Sequence, residues 1–218
     1  MFAAAFAHEL RTPLAVLKGR LHGLQDGVID PATGECGRLL AQVNKLLHVV
    51  DSLGTLTNAR SGGLCMDWRT GDLAGIVVSA MDEVRPEAEA GGIELRVSSS
   101  PVMACFDPAR LTRALAALAR AIISDLPAGS HFDVQLIAGP DKAALLLSFP
   151  SRAQEPDAAA VPLRTLISRS GPKGGSLWAS LDAALATVLL DAHGWAATVG
   201  PDPAGKGTAV IVQVPLRY

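Results

Sequence analysis

The sequence predicts an α+β protein in which an antiparallel helical hairpin is followed by a sheet covered by helices. Apolar residues recur with a helical period as far as about Arg60, and beyond the break at Ser61–Gly63 strand-like segments alternate with helical ones. With 218 residues, of which 49% are hydrophobic, the chain is long enough to bury a core in one or two domains. We expect residues 1–62 and 63–218 to form separate domains.

The first region carries two apolar stripes whose members alternate three and four residues apart, as in a coiled-coil seam. The first stripe comprises Phe6, Leu10, Leu14, Leu17, Leu21 and Leu24. After a break at residues 26–31, the second stripe comprises Leu39, Val43, Leu46, Val50 and Leu53. Two such helices predict an antiparallel hairpin. Because a two-helix hairpin cannot enclose its own apolar seam, we expect two copies to form a homodimeric four-helix bundle.

The second region mixes helical and strand periods without a visible repeat. Helices are predicted at Leu73 to Ala90, from Asp107-Pro108 to about Asp125, and from about Trp178 to His193. Strands are predicted at Ile93 to Val97, Phe132 to Ile137, Ala143 to Phe149, Ala196 to Val199 and Thr208 to Val214. The stretch from Ser151 to Gly175 is rich in Pro, Gly, Ser and Ala, which predicts a loop or lid. Helices layered on one sheet are therefore expected.

Charge and composition exclude several classes of protein. The 19 Lys and Arg against 21 Asp and Glu leave a net charge of -2, which argues against a nucleic acid partner. The apolar runs at 114–123 and 183–190 are shorter than the roughly 18 to 20 residues that span a bilayer, so we expect no membrane contact by this segment. Three cysteines without CxxC spacing and the lack of a leader predict a cytoplasmic protein without structural zinc.

His8 is the strongest candidate for chemistry. At about 100° per residue, the leucines of the first stripe lie roughly 160° to 240° from His8, so the imidazole is expected to point out of the bundle. Glu9 is adjacent, and Arg11 and Thr12 follow three and four positions later on the same helical surface. An exposed imidazole beside a carboxylate can act as a nucleophile, and a hydroxyl one turn away can orient a water. Pro13 is expected to loosen or kink the helix after the site. The alternative is a solvated surface histidine.

The residues from Phe6 to Leu14 closely resemble the phosphoacceptor box of two-component sensor histidine kinases. Asp107-Pro108-Ala109-Arg110-Leu111 with Pro127-Ala128-Gly129 resembles the frame of that family's asparagine box, and His193-Gly194 with Gly205 to Thr208 resembles the end of its ATP-binding domain. The resemblance covers almost the whole chain. It implies a dimerisation and phosphotransfer domain followed by an α/β sandwich like the histidine kinase ATPase domain.

The resemblance also implies roles for individual residues. His8 would carry the phosphoryl group and Glu9 would act as acid and base in the transfer. Glu9 and Thr12 would match the family's E-x-x-T phosphatase signature, with Arg11 and Pro13 as supporting residues. A response-regulator receiver domain is the expected partner.

The chain departs from the family at the positions that bind ATP. An ungapped match of Arg110 to Gly129 places Ala117 and Ala121 where the family has magnesium-binding asparagines, and alanine has no oxygen to offer a cation. The only asparagines are Asn44 and Asn58.

Two further ATP-binding elements are missing. No D-x-G-x-G string occurs, since Leu145-Leu146-Leu147 runs into Ser148-Phe149-Pro150-Ser151-Arg152. The glycine-rich lid hinge is reduced to Gly174-Gly175-Ser176-Leu177-Trp178, where larger side chains limit the approach of backbone amides to phosphates. We therefore predict a degenerate ATP-binding domain with no confident cofactor or metal ligands.

Other conspicuous residues have structural interpretations. Gly200 to Lys206 reads G-x-x-x-x-G-K, but Gly207 stands in place of Ser or Thr, which favours a turn between two strands over a P-loop. His22 and His48 are predicted at the helix surface or bundle edge, His131 at a strand start, and His193 at a helix C-terminus. Trp68, Trp178 and Trp195 are dispersed in sequence, which favours core or interface roles.

Three functions remain open. The favoured one is a phosphotransfer and phosphatase module that exchanges phosphoryl groups with a receiver aspartate. The second is an active histidine kinase with an unorthodox nucleotide site, the one case in which ATP and magnesium are expected. The third is a non-enzymatic docking module for a partner histidine kinase or regulator. Since little sequence precedes His8, we expect a segment cut from a longer, membrane-anchored sensor.

Overall fold

A computed structural model describes residues 2–30, 34–150, 161–162, 177–205 and 207–216; within these ranges the side chains are described except at 2–12, 60, 161–162 and 177–180. Backbone contacts divide the chain into two compact units, Met1–Thr57 and Asn58–Tyr218. The predicted order of a helical hairpin followed by a mixed α/β unit is confirmed.

Two long helices form the first unit, α1 at Phe2–Gln25 and α2 at Glu35–Arg60. Helix α1 ends at the predicted break, where Gly27 has a φ of +73°. The backbone N–H of Val28 donates to the carbonyl of Gly23 at 2.9 Å, and that of Gly27 to the carbonyl of Leu24 at 3.3 Å. This pair of bonds is a Schellman cap, which satisfies the last carbonyls of the helix and turns the chain away from it.

The buried carboxylate of Glu35 links the two helices of the hairpin. Glu35 is only 2% exposed at the start of α2, and it accepts hydrogen bonds from Arg20 of α1 and, at 3.4 Å, from Arg38 one turn later. The hydrogen bond from Arg20 is the largest influence on the Glu35 carboxyl and, with the charges of Arg20 and Arg38, lowers its pKa against the opposing effect of burial. A charge buried in this way is stable only while its cationic partners are present.

The second apolar stripe is not a single row. Leu39, Leu46 and Leu53 are half-buried, whereas Val43 and Val50 are exposed. Val43 and Val50 lie instead on a second row of α2, whose members are also three and four residues apart. This exposed row consists of Leu40, Val43, Leu47 and Val50. Leu14 and Leu21 of α1 are exposed as well, so the hairpin buries one apolar row and leaves a second one open.

The second unit contains a six-stranded sheet of order β2-β4-β5-β8-β7-β6 and a separate ribbon of β1 and β3. The strands are β1 Arg69–Asp72, β2 Glu94–Ser99, β3 Met103–Phe106, β4 His131–Ile137, β5 Lys142–Phe149, β6 Val161–Pro162, β7 Ala196–Pro201 and β8 Thr208–Pro215. The β2–β4 pair is parallel and the other pairs are antiparallel. All five predicted strands are confirmed.

The prediction of one sheet is wrong in a detail, because β1 and β3 form a second one. Strand β1 reads Arg-Thr-Gly-Asp, so its polar residues give no alternation from which a strand could be predicted. Strand β6 lies inside the stretch predicted as a loop or lid, and the remainder of that stretch is outside the described residues.

Over the part of the second unit that the structure describes, three helices cover the sheet: α3 at Leu73–Ala90, α4 at Pro108–Ile123 and α5 at Leu177–Ala192. Helix α4 packs against both α3 and α5, and its apolar residues share one core with the inward side chains of β4, β5 and β8. Every residue from Ala114 to Ala119 is buried. A helix buried over consecutive positions is surrounded by protein rather than lying on a surface.

Candidate functional site

The predicted phosphoacceptor residues His8, Glu9, Arg11 and Thr12 all lie in α1, which continues through Pro13 to Gln25. In a continuous helix, positions 8, 11 and 12 share one face. The side chains of these four residues are outside the described part, so their predicted orientation stays a prediction. Pro13 is half-buried and does not end the helix.

The Asp107-Pro108-Ala109-Arg110-Leu111 segment builds the start of α4. Asp107 is the N-cap residue: its Oδ1 accepts the backbone N–H of Arg110 at 3.0 Å, and Pro108 occupies the first turn. The second oxygen, Oδ2, accepts the backbone N–H of Asp67 at 2.9 Å. Both carboxylate oxygens of this buried side chain therefore accept hydrogen bonds from backbone N–H groups.

These contacts shift the acidity of Asp107. Burial by itself would raise the pKa of this carboxyl, but the backbone N–H groups of Arg110 and Asp67, together with the nearby charge of Arg110, lower it below its ordinary value. Hydrogen bonds to the ionised form outweigh desolvation here.

His193 lies beside this cap. The ring is 6% exposed, directly after the end of α5, as predicted for a residue at a helix C-terminus. Its Nε2 accepts the backbone N–H of Asp107 at 3.2 Å and its Nδ1 lies 2.7 Å from the carbonyl oxygen of Leu189. These two contacts hold the imidazole ring between the start of α4 and the last turn of α5.

Two tryptophans meet at His193. The Trp68 and Trp195 rings each have their centroid 5.5 Å from that of the imidazole, and Trp195 is buried. Core or interface roles are predicted for the tryptophans, but their meeting at His193 is not predicted, because positions 68, 193 and 195 come together only through the fold. The Trp178 side chain is outside the described residues.

Ala117 and Ala121, the two positions at which the sequence resemblance predicts magnesium-binding asparagines, lie on α4. Ala117 is 0% exposed and Ala121 is half-buried. The methyl side chains of these two residues have no oxygen to offer a cation. Within the described residues, no group of three or more His, Cys, Asp or Glu side chains could hold a metal ion.

The remaining sequence signals have structural roles. Gly200 lies in β7 and pairs with Ala209 of β8, and the turn between these strands is held by Asp202, whose Oδ1 accepts the N–H of Ala204 at 3.1 Å. The predicted turn is confirmed over its described residues. His22 is exposed, His48 is half-buried and His131 begins β4. Asn44 and Asn58 both lie on α2.

The chain has clear relatives. Residues 1–62 match the His Kinase A (phospho-acceptor) domain. The chain is 29% identical over 225 residues to the signal transduction histidine-protein kinase BaeS of Escherichia coli, covering 99% of this chain and 46% of BaeS. It is 33% identical over 96 residues to the sensor protein CutS of Streptomyces coelicolor, covering 44% of this chain and 23% of CutS. It therefore spans less than half the length of these curated relatives.

Solved structures share the fold. The histidine kinase AdeS of Acinetobacter baumannii superposes with a TM-score of 0.69 at 22% identity, covering 97% of this chain and 98% of AdeS. The histidine kinase ThkA, solved in complex with the response regulator TrrA, gives 0.64 at 13% identity, covering 99% of this chain and 61% of ThkA. Full-length ShkA, solved with AMPPNP, gives 0.62 at 22% identity over 97% of this chain and 45% of ShkA. No described helix has the length and apolar character needed to cross a membrane.

The Asp107 cap generates a stability prediction. Asp107→Ala should lower the free energy of unfolding of the second unit by about 2 to 4 kcal/mol, because it removes the cap and leaves two backbone N–H groups without acceptors. Asp82→Ala, an exposed aspartate on α3, should cost less than about 0.5 kcal/mol. Urea unfolding followed by circular dichroism measures both, and equal losses would contradict the assigned role.

Since the pKa of Asp107 is lowered in the folded state, its contribution to stability is present above the ordinary carboxyl pKa of about 3.9 and is lost as the pH falls through the folded value. Asp107→Asn should lack this part of the acid-induced loss of stability.

Proposed function

We propose that this chain, whose residues 1–62 match the His Kinase A (phospho-acceptor) domain, acts in two-component signalling: it carries a phosphoryl group on His8 and exchanges it with, or removes it from, an aspartate of a response-regulator receiver domain. We propose further that it binds little or no ATP. The observation that most supports phosphotransfer with little or no ATP binding is the burial of Ala117 on α4, at the position where the family has a magnesium ligand.

The phosphotransfer chemistry needs only residues of α1. In transfer from a receiver, an imidazole nitrogen of His8 attacks phosphorus as the bond from phosphorus to the aspartyl oxygen breaks, and Glu9 takes or returns the imidazole proton. In dephosphorylation, the Thr12 hydroxyl orients a water for attack on the aspartyl phosphate, giving free phosphate and the carboxylate. Arg11 and Pro13 would support this surface. Neither step consumes nucleotide.

Autophosphorylation needs more than His8. Transfer from ATP depends on magnesium ions that neutralise the charge on the phosphates, and on protein oxygens that hold those ions. Positions 117 and 121 supply methyl groups, and α4 is enclosed by protein at the first of them. A buried methyl group at this helix position favours packing of apolar side chains over binding of a magnesium ion.

An active kinase with an unorthodox nucleotide site is the second candidate. Two observations favour it: the second unit retains the fold seen in ShkA, which was solved with AMPPNP, and Asp107 still caps α4. A docking module without enzymatic activity shares the same fold and would be revealed by an inert wild-type protein.

We also propose that the chain acts as a homodimer. The exposed row of Leu40, Val43, Leu47 and Val50, with Leu14 and Leu21 of α1, gives the hairpin an open apolar face. Pairing two such faces produces a four-helix bundle that removes them from water.

The double change Leu47→Glu with Val50→Glu should convert dimers to monomers, because it places four carboxylates in the centre of the bundle. Light scattering coupled to size exclusion measures the mass, and circular dichroism checks that the helices remain. Asn44→Glu, on an exposed position outside the exposed row, should leave the dimer intact. A monomeric wild type, or a dimer that survives the double change, would refute this mode of pairing.

The phosphotransfer role predicts the behaviour of a phosphorylated receiver domain. The wild type should drain the phosphate of the receiver, and His8→Ala should acquire no label from it. Thr12→Ala should slow phosphate release by about tenfold to a hundredfold while sparing transfer to His8, because it removes only the water-orienting hydroxyl. Thr12→Ser keeps a hydroxyl and should retain the rate. Gel separation of the labelled proteins measures both steps, and equal loss of both in Thr12→Ala would argue against the assigned role.

The burial of Ala117 on α4 predicts the effect of placing an asparagine at this position. Ala117→Asn should lower the free energy of unfolding by about 2 to 4 kcal/mol, since a larger amide would enter a packed apolar site. Ala121→Asn, at a half-buried position, should cost less than about 1 kcal/mol. Neither should bind magnesium–ATP in a calorimetric titration. A fully stable Ala117→Asn protein that binds ATP would show instead that the site is open.

A further inference from the structure

The contact between Arg20 and Glu35 sets which residues of α1 and α2 lie at the same level of the hairpin. The helices run antiparallel, and Glu35 accepts a hydrogen bond from Arg20. Position 8 lies twelve residues before Arg20, and His48 lies thirteen residues after Glu35. At a rise of about 1.5 Å per residue, these separations are about 18 Å and about 20 Å. His48 of α2 is therefore level with the predicted phosphoacceptor position to within about one helical turn.

Both positions lie away from the exposed apolar residues of their own helix. At about 100° per residue, position 8 lies about 120° from Leu14 and about 140° from Leu21, the exposed leucines of α1. His48 lies about 80° to 160° from the four members of the exposed row of α2. Neither position belongs to the apolar face through which we propose that two hairpins pair.

Position 8 and His48 lie on the same side of the hairpin. Viewed from the N-terminus of each helix, exposed residues follow buried ones clockwise, from Leu17 to Leu21 in α1 and from Val49 to Val50 in α2. A twofold axis relates two antiparallel helices and preserves this sense of rotation, so the exposed apolar residues of both helices share one side. Positions on the opposite flank of each helix, which include His8, Thr12 and His48, share the other side.

The flank of α2 around His48 is polar. Asn44 lies one turn before His48 and Asp51 lies three residues after it, and both are exposed. His48 itself is half-buried. A neutral imidazole carries one N–H group, so His48 can donate a hydrogen bond without taking up a proton. This flank offers hydrogen-bonding groups to a polar ligand.

We propose that His48 binds the phosphoryl group that is exchanged at His8. This inference rests on the phosphotransfer function proposed above and adds a group on α2 to the residues of α1. Packed helix axes lie about 8 to 10 Å apart, a gap that one imidazole and one phosphoryl group span together. The N–H of His48 donates to a phosphoryl oxygen, and His48 keeps its proton throughout. The bonds that form and break are those between phosphorus and the His8 nitrogen or the receiver's aspartyl oxygen.

This role differs from that of Thr12. Negative charge is spread over the three equatorial oxygens of a phosphoryl group whether the attacking atom is a nitrogen or a water oxygen. A donor fixed beside these oxygens stabilises both transition states. His48 therefore acts in transfer to His8 and in phosphate release, whereas Thr12 acts in release alone.

Single-turnover transfer from a labelled, phosphorylated receiver domain to the full chain tests this role. His48→Leu keeps an apolar side chain at this half-buried position but has no N–H, and it should lower the rate at saturating receiver by about tenfold or more. The receiver concentration that gives half of this rate should change by less than about threefold, because His48 binds the transferred group rather than the receiver surface. Phosphate release should slow to a similar extent.

Two variants serve as controls. His48→Gln keeps an N–H donor that does not titrate, and it should stay within about threefold of the wild-type rate. His22→Leu, at an exposed histidine about 21 Å along α1 from position 8, should transfer as the wild type does. Circular dichroism and light scattering check that each variant keeps its helices and its mass. If His48→Leu does not fold, His48→Ala is compared with His48→Gln in its place.

A His48→Leu protein with the wild-type rate, or a His48→Gln protein as slow as His48→Leu, would overturn the role of His48. In either case, labelling of the wild type that His8→Ala abolishes would leave the phosphotransfer proposal standing. A wild type that takes no label from the receiver would refute both proposals.

Discussion

Most of the middle of helix α4 has to be apolar, because the helix packs against α3 and α5 and shares one core with the sheet. The consecutive burial from Ala114 to Ala119 follows from that position, and the small side chains allow neighbouring elements to approach closely. A magnesium ligand at position 117 would need an oxygen and access to solvent. Packing of the core and binding of a nucleotide therefore make opposing demands on the same residue, and this sequence satisfies the first.

The start of α4 is polar, whereas its middle is apolar. Asp107 caps the helix, accepts the N–H of Asp67 and donates its own N–H to His193, so one residue connects α4, the segment before β1 and the end of α5. These contacts need no nucleotide to be useful, because they satisfy buried backbone groups. A domain can thus keep the frame of an ATP-binding fold for structural reasons while the ligand positions diverge.

The sequence predicted the elements with strong periodicity and missed those without it. Helices α1 to α5 follow apolar spacing, whereas β1 is short and polar and β6 has two residues. The string around His8 identified the candidate phosphoacceptor site, whose side-chain geometry stays a prediction. The cluster of Trp68, His193 and Trp195 could not be predicted, because ring contacts between residues 68 and 193 depend on tertiary structure. Likewise, the sequence alone predicts that position 117 lacks a magnesium ligand, but the burial of Ala117 is visible only in the folded structure.

The central claim is that phosphohistidine chemistry has been separated from nucleotide binding. Incubating the full chain with γ-labelled ATP and magnesium, beside a parallel reaction with a labelled phosphorylated receiver domain, tests this most directly. We predict that His8 acquires label from the receiver and none from ATP. Labelling from ATP that is abolished by His8→Ala would contradict the account, since it would require a working magnesium–nucleotide site in the second unit.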